Sequence, residues 1–300
     1  MFRCRECSSG YLDPRPSASS IGKAYGEYYT HTNTKAAAAP IAKSRLHLLK
    51  KKLRNGYTNI RFGTNHQPSA KIGYWVFQLL KRKKQLVDVD YFHLPKPAPG
   101  QRLLDVGCGN GNAMAVAKSI GWQAVGVDPD PKAIEAAKAK NFNVSLGDIR
   151  NFDGQSKAFD AIILSHVIEH VPDPSPTLNR AFDLLVPGGT IFVDTPNISS
   201  RGARKFGKNW RGIEAPRHLV LFNSKSLVRL MKEIGFTEIS LKGRPRLARG
   251  MYLESHRISC KYSPYNEELK LPFHLKLQTI IFTPKRSRQE FITLTAKRPE

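Results

Sequence analysis

LLDVGCGNG, Leu103 to Gly111, is the stretch on which the reading of this chain turns. Leu103, Leu104 and Val106 run directly into glycines at 107, 109 and 111, the pattern of a buried strand that ends in a tight loop before a helix. Glycine has no Cβ, so a loop built this way lets the backbone approach a ligand closely. The nearest rival pattern is the dinucleotide fingerprint G-x-G-x-x-G. Here the third glycine comes one residue too early, and Asn112 stands where that motif has glycine. Taken alone, the glycines also admit a tight strand-to-helix turn that binds nothing.

Outward from the loop, short apolar runs alternate with helical stretches. RLLDVG, QAVGVD, VSLGD, AIILSH and TIFVDTP read as strands, and NAMAVAKSIG and PKAIEAAKAKN as helices. TLNRAFDLLVPGG reads as a further helix closed by Gly188 and Gly189. Such alternation implies a parallel sheet covered on both faces. SKSLVRLMKEIGF then reads as a helix, and TEISLKG and EFITLTAK as two last strands in an antiparallel pairing. Upstream, residues 1 to about 35 are polar and turn-rich, and residues 36 to 95 read as basic amphipathic helices broken at Asn55-Gly56 and at Gly63. The proline-rich LPKPAPG, Leu94 to Gly100, cannot continue a helix. The expected organisation is an N-terminal extension over 1–95, with basic helices, and an α/β domain over 96–300 that carries an insertion at about 245–288.

At 300 residues the chain can bury a sizeable core. Its 48 Lys and Arg against 24 Asp and Glu give a formal net charge of +24, much of it before residue 100 in KSRLHLLKKKLR and LLKRKK. A field of that sign attracts nucleic acid, anionic lipid head groups or acidic substrates, and is equally that of a solvated basic surface. No apolar run reaches the roughly 20 residues of a membrane span. IGYWVFQLL is short and flanked by KRKK, which leaves peripheral contact as the membrane mode to consider. The first residues lack a signal peptide's apolar core, and cysteines at 4, 7, 108 and 260 make no disulfide framework, so a cytoplasmic location is expected. Cys4 and Cys7 form a C-x-x-C knuckle, either half of a tetrahedral zinc site or a pair of ordinary thiols, and no bound metal is expected there.

In an open parallel sheet, ligands sit beyond the C-terminal ends of the strands. The second strand ends in Asp128, where a carboxylate can accept hydrogen bonds from both hydroxyls of a ribose. Together, LLDVGCGNG, VGVDPD, GDI, FDAIILSHVIEHVPDP and LLVPGGTIFVDTPN resemble the class I S-adenosylmethionine-dependent methyltransferases, from about residue 101 to the end. The resemblance implies a Rossmann-like, doubly wound sheet of seven strands, mostly parallel with the last strand antiparallel. It also implies that Asp105, Gly107, Cys108, Gly109 and Gly111 hold the methionine part of the cofactor, Asp128 the ribose, and Asp148 with Ile149 the adenine. Pro129 belongs to the same cofactor set, and Ser165 would lie beside the reacting methyl group. S-adenosylmethionine carries a sulfonium and no phosphate, so such a site needs carboxylates and close backbone approach, and the loop holds no phosphate-binding lysine.

The head CRECSSGYLDPRPSASSIGKAYGEYYTH and the later FGKNWRGIEAPRHLVLFNSKSL resemble bacterial methyltransferases of cell-surface polysaccharide and other secondary pathways. That subgroup is similar to the O-methyltransferases of ubiquinone biosynthesis, and its members often carry an earlier cysteine pair that this chain lacks. The resemblance implies methylation of an oxygen, before a nitrogen, of a small molecule or saccharide. The alternatives are an RNA methyltransferase using the basic surface, and an inactive cofactor-binding partner subunit. By topology, the insertion joins the last two strands and is expected to cover the acceptor side.

A hydroxyl needs a base or a Lewis acid to attack, and His170 and His218 are the candidates. Trp210 could stack on a ring and Arg217 pair with an anionic group; packing and a structural ion pair are their bland alternatives. His166, Glu169 and His170 form H-x-x-E-H, a zinc-hydrolase spacing when it lies on a long helix. A strand runs into it and Pro172 and Pro174 close the turn, so no such helix exists. Either Glu169 bonds backbone amides of the turn while His170 packs on Val-Pro-Asp-Pro, or His166, Glu169, His170 and His218 converge on a divalent metal. No metal is the expectation: small-RNA 2′-O-methyltransferases and ubiquinone O-methyltransferases have a carboxylate where this chain has His166, and losing it weakens a hard Mg²⁺ site.

Overall fold

Two opposed demands shape the sheet: apolar strands must leave water, and every backbone amide must find a partner. The computed structural model describes residues 1–17, 20–25, 44–244, 247–261, 269–281 and 285–300. Seven strands satisfy both demands in one sheet. They are β3 (Arg102–Val106), β4 (Gln123–Asp128), β5 (Asn143–Leu146), β6 (Phe159–Ser165), β7 (Leu185–Pro196), β9 (Thr237–Lys242) and β10 (Phe291–Lys297), in the order β5-β4-β3-β6-β7-β10-β9. β3, β4 and β5 pair in parallel, with Leu104 opposite Val125 and Val127 opposite Ser145. β10 runs antiparallel to both β7 and β9, with Leu294 opposite Val193 and Leu241. The doubly wound arrangement with an antiparallel last strand is the expected one.

Contacts divide the chain into two compact units, Met1–Glu27 with Gly154–Lys157 and Leu164–Glu300, and Tyr28–Asp153 with Ala158–Ile163. Residues 1–25 and 44–95, read above as one extension, thus fall in different units. In the first unit, β1 (Phe2–Arg3) and β2 (Gly10–Tyr11) pair with β8 (Val220–Leu221) in a small antiparallel sheet. In the second, α1 (Arg45–Phe62), α2 (Gly73–Leu79) and α3 (Lys81–Asp90) precede β3.

The helices flanking the sheet start at a glycine turn or at a side-chain cap. α4 (Asn112–Ser119) opens at Gly111; α5 (Pro131–Lys138) and α6 (Pro174–Leu184) each carry Asp at the N-cap and Pro in the first turn; Asn223 caps α8 (Ser224–Ile234). α6 does not run to Gly188 and Gly189. It ends at Leu184, and Leu-Val-Pro-Gly-Gly is already strand β7. The reason is distant in sequence: Arg298 Nη1 donates to the carbonyls of Phe182, Asp183 and Leu185 at 3.0, 3.0 and 2.8 Å, doing the work of a glycine cap. Gly188 N and Gly189 O pair with the backbone of Arg298. In the insertion, α9 (Leu247–Ser259) meets α7 (Arg201–Phe206), which precedes β8, through the rings of Tyr252 and Phe206, and α10 (Phe273–Ile281) follows; the insertion's other residues lie partly outside the described ones.

α1 also corrects an expectation, since it passes through Asn55-Gly56 unbroken and stops at Gly63, which adopts φ 79°. Gly56 is a crossing point. A Cβ there would overlap the Ala70 carbonyl, and one at Gly73 the Leu53 carbonyl, so α1 and α2 touch backbone to backbone. Gly56→Ala gains up to ~1 kcal/mol of helix propensity, but the group it meets is rigid backbone, and overpacking costs ~1–3 kcal/mol. The variant is expected to melt several degrees lower. A raised melting temperature would show that α1 does not press on the Ala70 backbone there.

Candidate functional site

In the second unit, the loop after β3 is built around left-handed backbone. Gly107, Gly109 and Gly111 take φ of 70°, 52° and 83°, values that a Cβ penalises, so the glycines are required by geometry as well as by close approach. The amides of Gly107 and Cys108 donate to Val127 O at 2.7 and 3.1 Å, tying the loop to the end of β4. Asp128 completes the tie: Oδ2 accepts from Gly109 N at 2.8 Å and Oδ1 from Asp130 N at 2.9 Å. Burial raises the Asp128 carboxyl's affinity for its proton, against those two amides, which lower it.

Asp105 is 2% exposed, and its Oδ2 has no hydrogen-bond partner among the described residues. Burial and the neighbouring charge of Asp128 push it up to about 8. Cys108 is buried, and burial with the same two carboxylates pushes its thiol up, so it is no nucleophile. Pro129 is exposed after β4 and Ile149 is buried. Asp148 caps the short helix Ile149–Phe152, and its carboxylate is taken by Arg150 at 2.6 Å, which holds its pKa below the usual range.

In the first unit, β6 ends at half-buried Ser165 and the H-x-x-E-H residues form a turn. His166 adopts φ 59° and aims each ring nitrogen at a fully buried carboxylate, Nδ1 at Glu169 Oε1 (3.0 Å) and Nε2 at Asp194 Oδ2 (3.3 Å). Asp194 also pairs with Arg244 and accepts from Thr293 Oγ1. Glu169 accepts from Thr195 Oγ1 at 3.0 Å. It is the Glu169 carbonyl, not its carboxylate, that takes backbone amides, those of Leu219 and Val220 at 2.7 and 3.2 Å. Burial works to raise Glu169, but the hydrogen bond from His166 and the fields of His166, His170 and His218 hold it down at about 2.

His170 is held by a segment distant in sequence. Its Nδ1 donates to Arg217 O at 3.1 Å, His218 Nδ1 donates to Gly212 O at 2.8 Å, and the two rings meet edge to face at 4.7 Å. A carbonyl only accepts, so each Nδ1 carries a proton, and the acceptor position of the neutral form of each ring is Nε2. Burial lowers His218 to about 4, so it is neutral at physiological pH. One ligand atom each from Glu169, His170 and His218 lies within 4.8 Å of the others; His166 is outside this group, both its nitrogens being turned to carboxylates.

Glu214, which the sequence reading passed over, organises the next loop. It pairs with Arg211 and with Arg217 Nη2 (2.8 Å) and faces His218 Nε2 at 3.7 Å, too long for a hydrogen bond. The i−3, i+3, i+4 spacing around it was the available signal. Arg217 also donates to Ala24 O at 3.0 Å, so it braces the N-terminal segment. Trp210 is 2% exposed, packs with Ile198 and Leu221, and donates from Nε1 to buried Glu290 at 3.0 Å. Its surroundings are those of a core residue, and it offers no open face for stacking.

A family model described as a methyltransferase domain matches residues 78–241, more than half of the chain. The chain belongs to this methyltransferase family. Among curated relatives, this methyltransferase is similar to the ubiquinone biosynthesis O-methyltransferase of Xanthomonas campestris pv. campestris, with 32% identity over 118 residues, 37% of this chain and 49% of that protein. It is similar also to that of Methylocella silvestris, with 28% identity over 176 residues, 52% and 69% of the two chains. The methyltransferase thus spans about half the length of the first relatives it matches. Phosphoethanolamine N-methyltransferase 2 of Haemonchus contortus, solved with S-adenosyl-L-methionine, shares its fold at a TM-score of 0.50 and 17% identity, covering 82% of this chain and 60% of that one.

Asp105 gives the methyltransferase a measurable signature. A carboxyl raised from 3.8 to about 8 keeps its proton in the fold after the unfolded chain has lost it. Its contribution to stability is whole below pH 3.8 and lost as pH rises through about 8. Asp105→Asn is expected to flatten the decline in thermal midpoint across that window in ligand-free protein. An unchanged slope would mean that Asp105 is already ionised.

Proposed function

We propose that this protein is an S-adenosylmethionine-dependent methyltransferase acting on an oxygen of a small molecule or saccharide. The observation that carries the cofactor assignment is the buried Asp105 Oδ2 without a donor, beside a loop of left-handed glycines. An ammonium, such as that of a methionyl group, supplies the donors this oxygen lacks. Each Asp128 oxygen accepts one backbone amide, and the remaining lone pairs fit ribose hydroxyls. Asp148 is engaged by Arg150, so on this reading Ile149 contributes an apolar surface toward the adenine. S-adenosylmethionine, when bound, would supply a methyl group on a sulfonium: the acceptor oxygen bonds to the methyl carbon in line as the C–S bond breaks, and the sulfur leaves as a neutral thioether.

The acceptor's proton goes to an imidazole Nε2. His170 is half-buried and His218 buried, so His170 is the ring assigned to the acceptor and His218 backs it edge on. Glu169, ionised beside them, steadies the imidazolium that forms. The oxygen preference rests on the O-methyltransferase relatives. His170→Ala is expected to lower turnover by ~10²–10⁴-fold, the usual worth of a general base, with cofactor affinity by calorimetry unchanged. His218→Ala does so in smaller measure. Equal loss of turnover and affinity would indicate a folding role, and cofactor binding without transfer to any of a panel of alcohols, phenols, sugars and RNA would make the protein a non-catalytic binder.

One observation favours a second version of this chemistry. Both Nδ1 atoms are fixed by backbone carbonyls, which is how metal-ligating imidazoles are oriented, and a carboxylate completes the group. Glu169, His170 and His218 would hold a divalent ion that lowers the pKa of the acceptor hydroxyl. Two imidazoles and one carboxylate suit Zn²⁺ or Mn²⁺ better than Mg²⁺. Turnover abolished by a chelator and restored by one of these ions selects this version; indifference to chelation selects the base.

A further inference from the structure

α2 is apolar on both sides. Gly73 and Phe77 face α1, where Phe77 stacks on Tyr57 at 5.0 Å and Gly73 meets the Leu53 backbone. On the other side Ile72, Trp75 and Leu79, spaced by three and four residues, share one face and are 64, 67 and 84% exposed. Leu80 continues the patch. A helix that is apolar all round is ordinarily buried, and an exposed contiguous apolar face of this kind marks a contact surface.

The charge around it says what the contact is with. Between Lys71 and Lys84 the chain has five cations and no acid, and Lys71, Lys81, Arg82 and Lys83 are exposed at the two ends of the patch. The first two turns of α1 repeat the composition, with Leu46, Leu48 and Leu49 exposed among Arg45, Lys50 and Lys51. A second copy of a chain carrying +24 is electrostatically unsuited to this face. Nucleic acid would use the cations, and a tryptophan for stacking, but leaves Ile72, Leu79 and Leu80 in water. An anionic bilayer takes all of them at once: aliphatic side chains enter the acyl boundary, an indole sits at the head-group level, and lysines meet the phosphates. We propose that the Ile72–Trp75–Leu79 face, with its flanking lysines, docks this protein peripherally on an anionic lipid surface.

Tryptophan fluorescence reads this face directly. Trp122 and Trp210 are 3 and 2% exposed, so Trp75 is the one of the three that can change environment. The full chain, mixed with phosphatidylcholine vesicles containing phosphatidylglycerol, is expected to co-sediment with a blue shift of emission, and to do neither with phosphatidylcholine alone. Leu79→Ser with Ile72→Ser should abolish binding. Lys81→Gln and Lys83→Gln should each weaken it about fivefold, the equivalent of ~1 kcal/mol per basic residue at such a surface. Trp75→Phe should bind while losing the shift. All these side chains are exposed, so circular dichroism and melting temperature should match the parent. Failure to bind anionic vesicles overturns the proposal, as does binding with unshifted emission. Salt-sensitive retention of RNA that Leu79→Ser leaves intact, without vesicle binding, assigns the face to nucleic acid instead. Concentration-dependent dimerisation abolished by Leu79→Ser, again without vesicle binding, assigns it to a second copy.

Discussion

A carboxylate with no exposed surface is costly unless its charge is compensated and its lone pairs filled. Glu169 is such a group, and the architecture around it follows from meeting that requirement. The side chain takes His166 from its own turn and Thr195 from β7, and its carbonyl takes the amides of Leu219 and Val220. One residue therefore fixes the exit of β6, the end of β7 and the entry to β8. The His170–His218 contact is a consequence, because the two rings are carried by segments that Glu169 pins. H-x-x-E-H is a turn motif here, and its power to place imidazoles comes from a buried charge rather than from a helix face.

The glycine loop shows the opposite arrangement. Asp128 has its amides, but Asp105 is equally removed from water and has one oxygen with no donor. A buried carboxylate oxygen without a donor is costly, and displaced pKa values gather where ligands are handled, which is why the proposed cofactor contact is drawn to it. Glu290 makes the contrast clear. It is as buried, yet Ser200, Gly202 and Trp210 all donate to it, and it serves as a structural anchor for the segment that sequence alone had marked for substrate.

The sheet was legible because its signals are local: apolar runs of strand length, caps one residue before their helices, and glycines at the loop. The carboxylates at the ends of β3 and β4, Asp105 and Asp128, were legible for the same reason, since strand ends announce them. What could not be read depended on distant partners. Arg298 ends α6 across more than a hundred positions of chain, so Gly188 and Gly189 looked like a stop that the fold does not use. Gly56 looked like a break because its role is set by Ala70, fourteen residues on in the loop before α2. Trp210 and Arg217 looked like substrate contacts because tryptophan and arginine have binding chemistry anywhere. Only Glu290, Glu214 and the carbonyl of Ala24 reveal that they are occupied.

His166 is where these lines meet. Glu169 and Asp194 are both buried completely, and the imidazole between them is the group that both share. A carboxylate at position 166 would set a third anion beside them and the Arg244 cation that pairs with Asp194, a less balanced combination that a bound cation would relieve. With histidine there, the two acids are bridged internally and the turn is complete without any ion. Any metal at Glu169, His170 and His218 would thus be held by a site whose fold does not depend on it. The orientation of the His170 and His218 rings has the same independence, since it comes from Arg217 O and Gly212 O, both groups of the chain itself.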